Sequence, residues 1–299
     1  MNALPTTDWI AGKTVLITGG NTGIGKAAAL ALARRGAAVT IACRDATRAD
    51  TARAEITAAT GAPVGILPLD LAALDSVRGA AATFREQHDS LDVLVNNAGV
   101  AVFGRRRETA DGLERQFGVN HLGHFLFTML LADRITSRIV NVSSAAYGLA
   151  RDGLRWHDLQ WTGEYDGWQA YGASKLCNLY FTWELADRLR DRAVTVNALH
   201  PGYVDTDLGH RRPEDGAASR PPGARIGTVD LAALGTPLTP EQGARTTVML
   251  ATGMLGADLS TVTGAYFDDR QRRAEVSDIA SDRAAAARLW TLSEELVAG

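Results

Sequence analysis

Residues Lys13–Lys26 read KTVLITGGNTGIGK, and this stretch decides the fold. Thr14 to Thr18 are β-branched and aliphatic, the composition of a short buried strand. Gly19, Gly20, Gly23 and Gly25 crowd the turn that follows, and the alanines and leucines of Ala27 to Arg34 demand a helix. A strand, a glycine turn and a helix N-terminus together aim free backbone N–H groups at a phosphate. Side chains on the turn would hold a ligand off the backbone, which is why glycine suits it. Two loop types compete. Gly20 to Lys26 fits a nucleoside-triphosphate loop except at its last position, where the magnesium-binding Ser or Thr is replaced by Ala27. The alternative, which we favour, is a dinucleotide loop with Gly19, Asn21, Thr22, Gly23, Ile24 and Gly25 as cofactor contacts.

Short apolar runs alternate with helical patterns along the rest of the chain. Strands are expected at Ala38–Cys43, Val64–Leu69, Asp92–Asn96, Arg138–Ser143, Val194–Leu199 and Gly264–Phe267. Helices are expected at Asp45–Ala59, Leu74–His88, Glu114–Ala132, Gln169–Arg190 and Pro240–Leu250. Such alternation predicts an α/β fold, a doubly wound (Rossmann-type) parallel sheet of about seven strands with helices on both faces. No repeat or linker divides the 299 residues, so one domain spanning 1–299 is expected. Two segments break the rhythm. An insertion at about 151–168 is rich in Trp and Gly, and 207–235 contains GAASRPPGAR, which we read as a substrate lid.

At the end of the second strand, Arg44 suits the 2′-phosphate of NADP, whereas an acid there would bind the free ribose of NAD. Asp45 competes for the ribose but also fits a helix N-cap. The expected cofactor is NADP (NADPH), held through Arg44. Asp70, before Leu71 at the end of the third strand, can reach an adenine or cap the next helix. After the fourth strand, Asn97 can lock a turn, and Ala98-Gly99 lets backbone pass close to a flat ligand.

Tyr171 and Lys175 lie one helical turn apart and so share a face. A phenol titrates near pH 10, and an ammonium about 4 Å away is worth about 4 kcal/mol at an effective dielectric of 20. The pair is therefore expected to bring the phenol towards neutral pH for general acid–base work. Ser144 of the Ser143-Ser144 pair can hold a substrate oxygen, and Asn120 can hold a water for proton delivery.

The motifs TGGNTGIG at 18–25, NNAG at 96–99, Asn120, Ser144, YGASK at 171–175 and HPGYVDT at 200–206 resemble the short-chain dehydrogenase/reductase family over about residues 10 to 270. ACRD at 42–45 and VNHLGHF at 119–125 are similar to its retinol-dehydrogenase-like branch. The resemblance implies a catalytic set of Asn120, Ser144, Tyr171 and Lys175, with Tyr171 and Lys175 also touching the cofactor. It implies adenine- and ribose-side contacts from Asp70, Asn97 and Gly99. Pro201, Gly202, Val204 and Thr206 would hold the nicotinamide amide. It further implies hydride transfer between a carbonyl and an alcohol on a small lipophilic substrate, and a homodimer or homotetramer built through helices 114–132 and 169–190. The alternative from another class is a catalytically silent NADP-binding sensor, disfavoured because every acid–base position is filled.

A net charge of −3 gives no case for nucleic acid or an anionic membrane. Two cysteines, Cys43 and Cys177, do not make a disulfide framework. MNALPTTDWIAGK lacks the apolar core of a signal peptide, and no stretch reaches transmembrane length, so a cytoplasmic protein without a membrane anchor is expected. His121 and His124 lack partners at ligand spacing, and no metal is expected. Trp168, Tyr203 and Tyr147 are candidate substrate contacts.

Overall fold

The computed structural model describes residues 8–205, 208, 225–226, 229–230, 236–255 and 257–298. The chain alternates β1 (Thr14–Thr18), α1 (Gly23–Arg34), β2 (Ala38–Cys43), α2 (Ala46–Thr60), β3 (Gly65–Pro68), α3 (Leu74–Gln87) and β4 (Leu91–Asn96). A longer excursion follows. It leads into α4 (Arg115–Phe117), a π-helical turn at Gly118–Leu122, and α5 (Gly123–Leu131). Then come β5 (Ile135–Val142), α6 (Gly167–Arg188) and β6 (Thr195–Leu199). The remainder holds the short strands β7 (Arg225–Ile226), β8 (Val229–Asp230), β9 (Met254–Leu255) and β10 (Ala257–Asp258), with α7 (Pro240–Thr252) between the two pairs. It closes with β11 (Ala265–Phe267), β12 (Arg273–Ala274) and α8 (Arg283–Ala298).

Eight strands form one sheet in the order β12-β11-β6-β5-β4-β1-β2-β3. Every pairing is parallel except β12 with β11, so the expected parallel sheet gains an antiparallel edge strand of two residues. Alternation along β1 shows how the sheet is buried on both sides. Val15 and Ile17 pack with Leu32 of α1, Ile56 of α2 and Met249 of α7, while Leu16 faces Phe84 of α3, Phe125 of α5 and Phe181 of α6. Parallel strands covered on both faces have no solvent face to carry polar residues, which explains their near-continuous apolar runs.

One polar rung crosses this core. Asn96 of β4 donates to Asn141 Oδ1 of β5 and to Thr128 Oγ1 of α5, each at 2.9 Å. Asn141 in turn donates to Thr182 Oγ1 of α6 at 2.9 Å, and Thr182 to the Asn178 carbonyl at 2.7 Å. All are buried, so each bond lost would leave an unsatisfied polar atom costing about 1–3 kcal/mol.

The 151–168 insertion is not a loose loop. Leu154, Leu159 and Trp161 are buried in it, Arg155 stacks on Trp161 at 4.3 Å, and Asp166 caps α6 by accepting from Trp168 and Gln169. It also fastens the segment after β4: the Gln160 side chain accepts from Glu114 N–H at 2.8 Å, and the Gln160 carbonyl from Arg106. Helix α8 was not anticipated. Its Ala286, Leu289 and Trp290 are buried on α6, with Trp290 edge-on to Phe125 at 5.0 Å and stacked on Phe181 at 6.0 Å.

Candidate active site

A cleft of about 890 Å³ opens at the C-terminal ends of β1, β2, β4, β5 and β6. This is where a doubly wound sheet takes its ligands. The glycine turn forms one wall, with Gly19, Asn21, Thr22, Gly23, Ile24 and Gly25 all lining it. Gly19 and Gly23 have positive φ, +67° and +51°. A Cβ on Gly25 would sit 2.2 Å from the Gly19 carbonyl oxygen and 2.5 Å from Asn97 Nδ2. The Thr22 side chain makes no capping bond to the first turn of α1, which leaves that N-terminus facing the cleft as a phosphate cradle.

Thr18, just before the turn, ties it to the end of β4. Its hydroxyl accepts from the Asn97 and Ala98 N–H groups at 2.9 and 3.0 Å. With both lone pairs used, the hydroxyl proton goes to His124 Nε2 at 2.8 Å. His124 therefore carries its own proton on Nδ1 and donates it to the Asn120 carbonyl at 3.1 Å. The glycine turn, the NNAG turn and the π-helical turn are thus joined by one chain of hydrogen bonds. His121 is also buried, with Nε2 at 2.8 Å from Ser293 Oγ of α8.

Burial lowers both histidines, His121 to about 3 and His124 to about 4, so both are neutral in the fold. The unfolded chain protonates them near pH 6.5, so their contribution is present above that pH and is lost as pH falls towards the folded values. Stability is expected to drop by about 1.4 kcal/mol per pH unit for each histidine between pH 6.5 and about 4. Urea unfolding followed by Trp fluorescence across that window checks this, and a flat profile would contradict it.

Ser143 and Ser144 end up with different tasks. Ser143 is buried and donates to the Lys175 carbonyl at 2.8 Å, fixing α6 against the end of β5. Ser144 accepts from Ala146 N–H at 3.1 Å and hydrogen-bonds the Tyr171 phenol. Lys175 Nζ donates to the Val142 carbonyl at 3.2 Å and lies 5.7 Å from the Tyr171 ring centroid. Tyr171 and Lys175 do share a helix face, but the expected electrostatics are corrected. Burial pushes the phenol up to about 12, the Ser144 bond pulling it back only in part, and burial pulls Lys175 down to about 8. Desolvation is the largest cause of the shift in both groups.

Asn120 sits in the π-helical turn, a feature common at functional sites. Its amide donates to the Val100 carbonyl and to Ser174 Oγ, each at 2.9 Å, and accepts from Val100 N–H at 2.7 Å. It therefore stands behind the cleft wall instead of lining it. A Cβ on Gly99 would lie 3.4 Å from Asn120 Oδ1 and 3.5 Å from Lys175 Nζ, so these two atoms converge under Gly99.

Of the other expected site residues, Arg44, Asn97, Ala98, Gly99, Pro201, Gly202 and Val204 line the cleft. Thr206 and most of the lid at 207–235 lie outside the described residues, although Leu208 lines the cleft. Asp45 caps α2 by accepting from Arg48 N–H at 3.0 Å, the cap role expected of it, and is not among the lining residues. Asp70 accepts from Ala72 N–H at 2.9 Å and faces Arg44 at 3.9 Å; neither it nor Leu71 is among the lining residues. Trp168, Tyr203 and Tyr147 are not among them either. Trp168 packs on Phe103 at 3.8 Å, and Tyr147 is edge-on to Tyr266. Arg48, Arg107 and Arg115 line the cleft without having been singled out from sequence. Cys43 and Cys177 are free and buried, and burial raises both thiols above their usual range.

Comparison with known proteins places this geometry. The model of a family described as short chain dehydrogenase matches residues 13–155 and 161–217. Human retinol dehydrogenase 13 is 42% identical over 306 residues, covering 99% of this chain and 87% of the human protein. Mouse retinol dehydrogenase 14 is 43% identical over 301 residues, covering 96% and 86%. Among solved structures, an uncharacterised protein from Mycobacterium paratuberculosis superposes with a TM-score of 0.76 at 35% identity, covering 97% of this chain and 94% of that one. A short chain dehydrogenase from Burkholderia cenocepacia in complex with NADP gives a TM-score of 0.66 at 28% identity, covering 87% and 97%.

Proposed function

The chain belongs to the short-chain dehydrogenases, oxidoreductases of alcohol and carbonyl groups, and from that premise we propose an NADP(H)-dependent enzyme of a single domain that interconverts a carbonyl and an alcohol on a small lipophilic substrate. The observation that carries this reading is the meeting of Ser144, Tyr171 and Lys175 at one end of the cleft whose other end is the glycine cradle.

The cradle fits a dinucleotide: its glycines leave no room for a Cβ, and its helix N-terminus faces the cleft. Residues of the turn would hold the pyrophosphate, and Arg44 with Arg48 the 2′-phosphate. The exposed Arg44–Asp70 pair is worth little and yields readily to a phosphate. Pro201, Gly202 and Val204, with Thr206, would border the nicotinamide. NADPH, when bound, supplies a hydride. In the reducing direction Ser144 and Tyr171 hold the carbonyl oxygen, and Tyr171, protonated through the neutral range, gives it a proton. Lys175 and Asn120, converging under Gly99, stand where that proton can be replaced. The apolar stretch Val100–Val102 offers a wall to a lipophilic substrate.

A cytoplasmic location is part of the proposal, on the strength of two free buried thiols; among the described residues no helix is long and apolar enough to cross a membrane. Assembly through helices 114–132 and 169–190 meets an obstacle, since α8 already lies over α5 and α6. A homo-oligomer would therefore use another face.

Titration of the apo-protein with NADPH and NADH, followed by cofactor fluorescence, tests the reading. NADPH is expected to bind at least tenfold more tightly than NADH, and Arg44→Ala to erase that preference by weakening NADPH alone. Preference for NADH would remove Arg44 from its role, and binding of neither would overturn the assignment.

A further inference from the structure

Two side-chain amides hold the cleft wall from behind. Asn120 takes both polar groups of the Val100 backbone, accepting from its N–H at 2.7 Å and donating to its carbonyl at 2.9 Å. Gln116, four residues earlier in the same helical run, does the same for Val102. Its Oε1 accepts from the Val102 N–H at 3.0 Å, and its Nε2 donates to the Val102 carbonyl at 3.2 Å. A strand pairing antiparallel would bond alternate residues in the same way, through both polar groups of each. Val100 and Val102 line the cleft with Ala101 between them, while both amide side chains are fully buried.

Gln116 has a second attachment. Its Nε2 also donates to the Gly167 carbonyl at 2.9 Å and to the Tyr165 hydroxyl at 3.0 Å, so two amide hydrogens serve three acceptors. Gly167 is the first residue of α6, and Gly167, Tyr171 and Lys175 follow one another at intervals of four along one face of that helix. The wall is seated directly on this end of α6. A Cβ on Gly167 would lie 2.3 Å from the Val102 carbonyl oxygen and 2.6 Å from Phe103 Cα. The short helix that carries Gln116 is itself pinned, because Glu114 caps it by accepting from Phe117 N–H at 2.7 Å. One buried side chain therefore joins the apolar wall to the helix that bears the phenol and the ammonium.

We propose that Gln116 is a positioning residue which, through its junction with Val102 and Gly167, decides which face of a prochiral ketone the hydride meets. It acts through the wall and touches neither substrate nor cofactor. Ser144 and Tyr171 grip the carbonyl oxygen alone, and a ketone held by its oxygen can exchange its two carbon substituents by half a turn about the C=O axis. The wall at Val100–Val102 breaks that tie by taking the larger apolar substituent on one side. It does so only while its distance and angle to Tyr171 are fixed, and the junction fixes them. This rests on the carbonyl–alcohol reading above and adds a determinant of stereospecificity to it.

The test substrate is 4-fluoroacetophenone, which one NADPH and one proton reduce to 1-(4-fluorophenyl)ethanol, its enantiomers separated by chiral chromatography. Wild type is expected to favour one enantiomer at least tenfold. Gln116→Met keeps the volume but loses the donor and the acceptor. It is expected to lower that ratio at least fivefold and to raise KM for the ketone, with NADPH affinity held within about twofold. Gly167→Ala pushes the wall off α6 from the other side and is expected to lower the ratio likewise, so the failure of one variant to fold leaves the other to decide. Gln87→Met, at the exposed end of α3, is the control and keeps the wild-type ratio. The ratio belongs to the folded molecules that turn over, so a variant that merely loses stability loses yield and keeps its ratio. A near-racemic product from wild type, or folded variants with lower turnover and an unaltered ratio, would overturn the proposal. Were the ketone not reduced by wild type, the carbonyl reading would fail, and ¹⁹F NMR titration of the ketone into the NADPH-bound protein would judge the junction by itself. Binding weakened at least fivefold in either variant would support it; equal binding, or none to wild type, would refute it.

Discussion

Tyr171→Phe is expected to lower turnover by about 10²–10⁴-fold, the range that general acid–base catalysis supplies, while NADPH affinity stays within severalfold. The substitution removes one oxygen and keeps the ring. Lys175 keeps its bond to the Val142 carbonyl, Ser143 keeps its bond to the Lys175 carbonyl, and the Phe103 ring remains 6.0 Å away. Nothing that shapes the cradle at Gly19–Gly25 depends on the phenol. Single-turnover rates with NADPH, set beside a fluorescence titration of the same preparation, measure the two quantities separately. Retained turnover would remove Tyr171 as the proton donor, and lost cofactor binding would mean that the phenol builds the nucleotide site.

Gly25→Ala is expected to fail at the opposite end of the cleft. The new Cβ would meet the Gly19 carbonyl oxygen at 2.2 Å and Asn97 Nδ2 at 2.5 Å. Neither neighbour can step aside cheaply. Gly19 is fixed by its N–H to the Ala42 carbonyl at 2.7 Å, and the Asn97 amide donates to the Thr18 carbonyl at 2.9 Å. Overpacking of this kind costs about 1–3 kcal/mol of stability, and the displaced turn is expected to weaken NADPH at least tenfold. Gly79→Ala is the matched control. Gly79 lies inside α3, exposed, with nothing within 4 Å of a Cβ, so alanine there should add about 0.5–1 kcal/mol. Thermal melts with and without NADPH distinguish the pair, and a Gly25→Ala variant with unaltered affinity would refute the cradle.

The parts of this molecule that were legible in sequence share a physical character: their structure is fixed by residues close along the chain. β1 and β2 have the boundaries that their apolar runs mark, and Tyr171 and Lys175 fall on one face because a helix leaves them no choice. What escaped depends on partners distant in sequence. The π-helical turn at Gly118–Leu122 has no compositional signature, since it is a different bonding pattern in an otherwise helical run. β12 is two residues long, too short for any period to show. For α8 a signal did exist: Ala286, Leu289, Trp290 and Ser293 recur at helical spacing and are its buried residues. The direction of the Tyr171 shift could not be read, because burial of the whole dyad is a property of the packed fold.

The buried rung from Asn96 through Asn141 to Thr182 has a consequence for how the reactive groups are aimed. Thr182 is eleven residues along α6 from Tyr171, about 16 Å at 1.5 Å per residue. A helix packed only by aliphatic side chains can roll about its axis at small cost, and a roll of a few tens of degrees would swing the phenol and the ammonium off their marks. Amide-to-hydroxyl bonds at 2.9 Å tolerate no such roll. The rung acts as an index pin: it sets the angular position of a shaft far from the end where the tool is mounted. Aim is then inherited from the middle of the protein, and the cleft can vary its lining for different substrates without having to re-establish it.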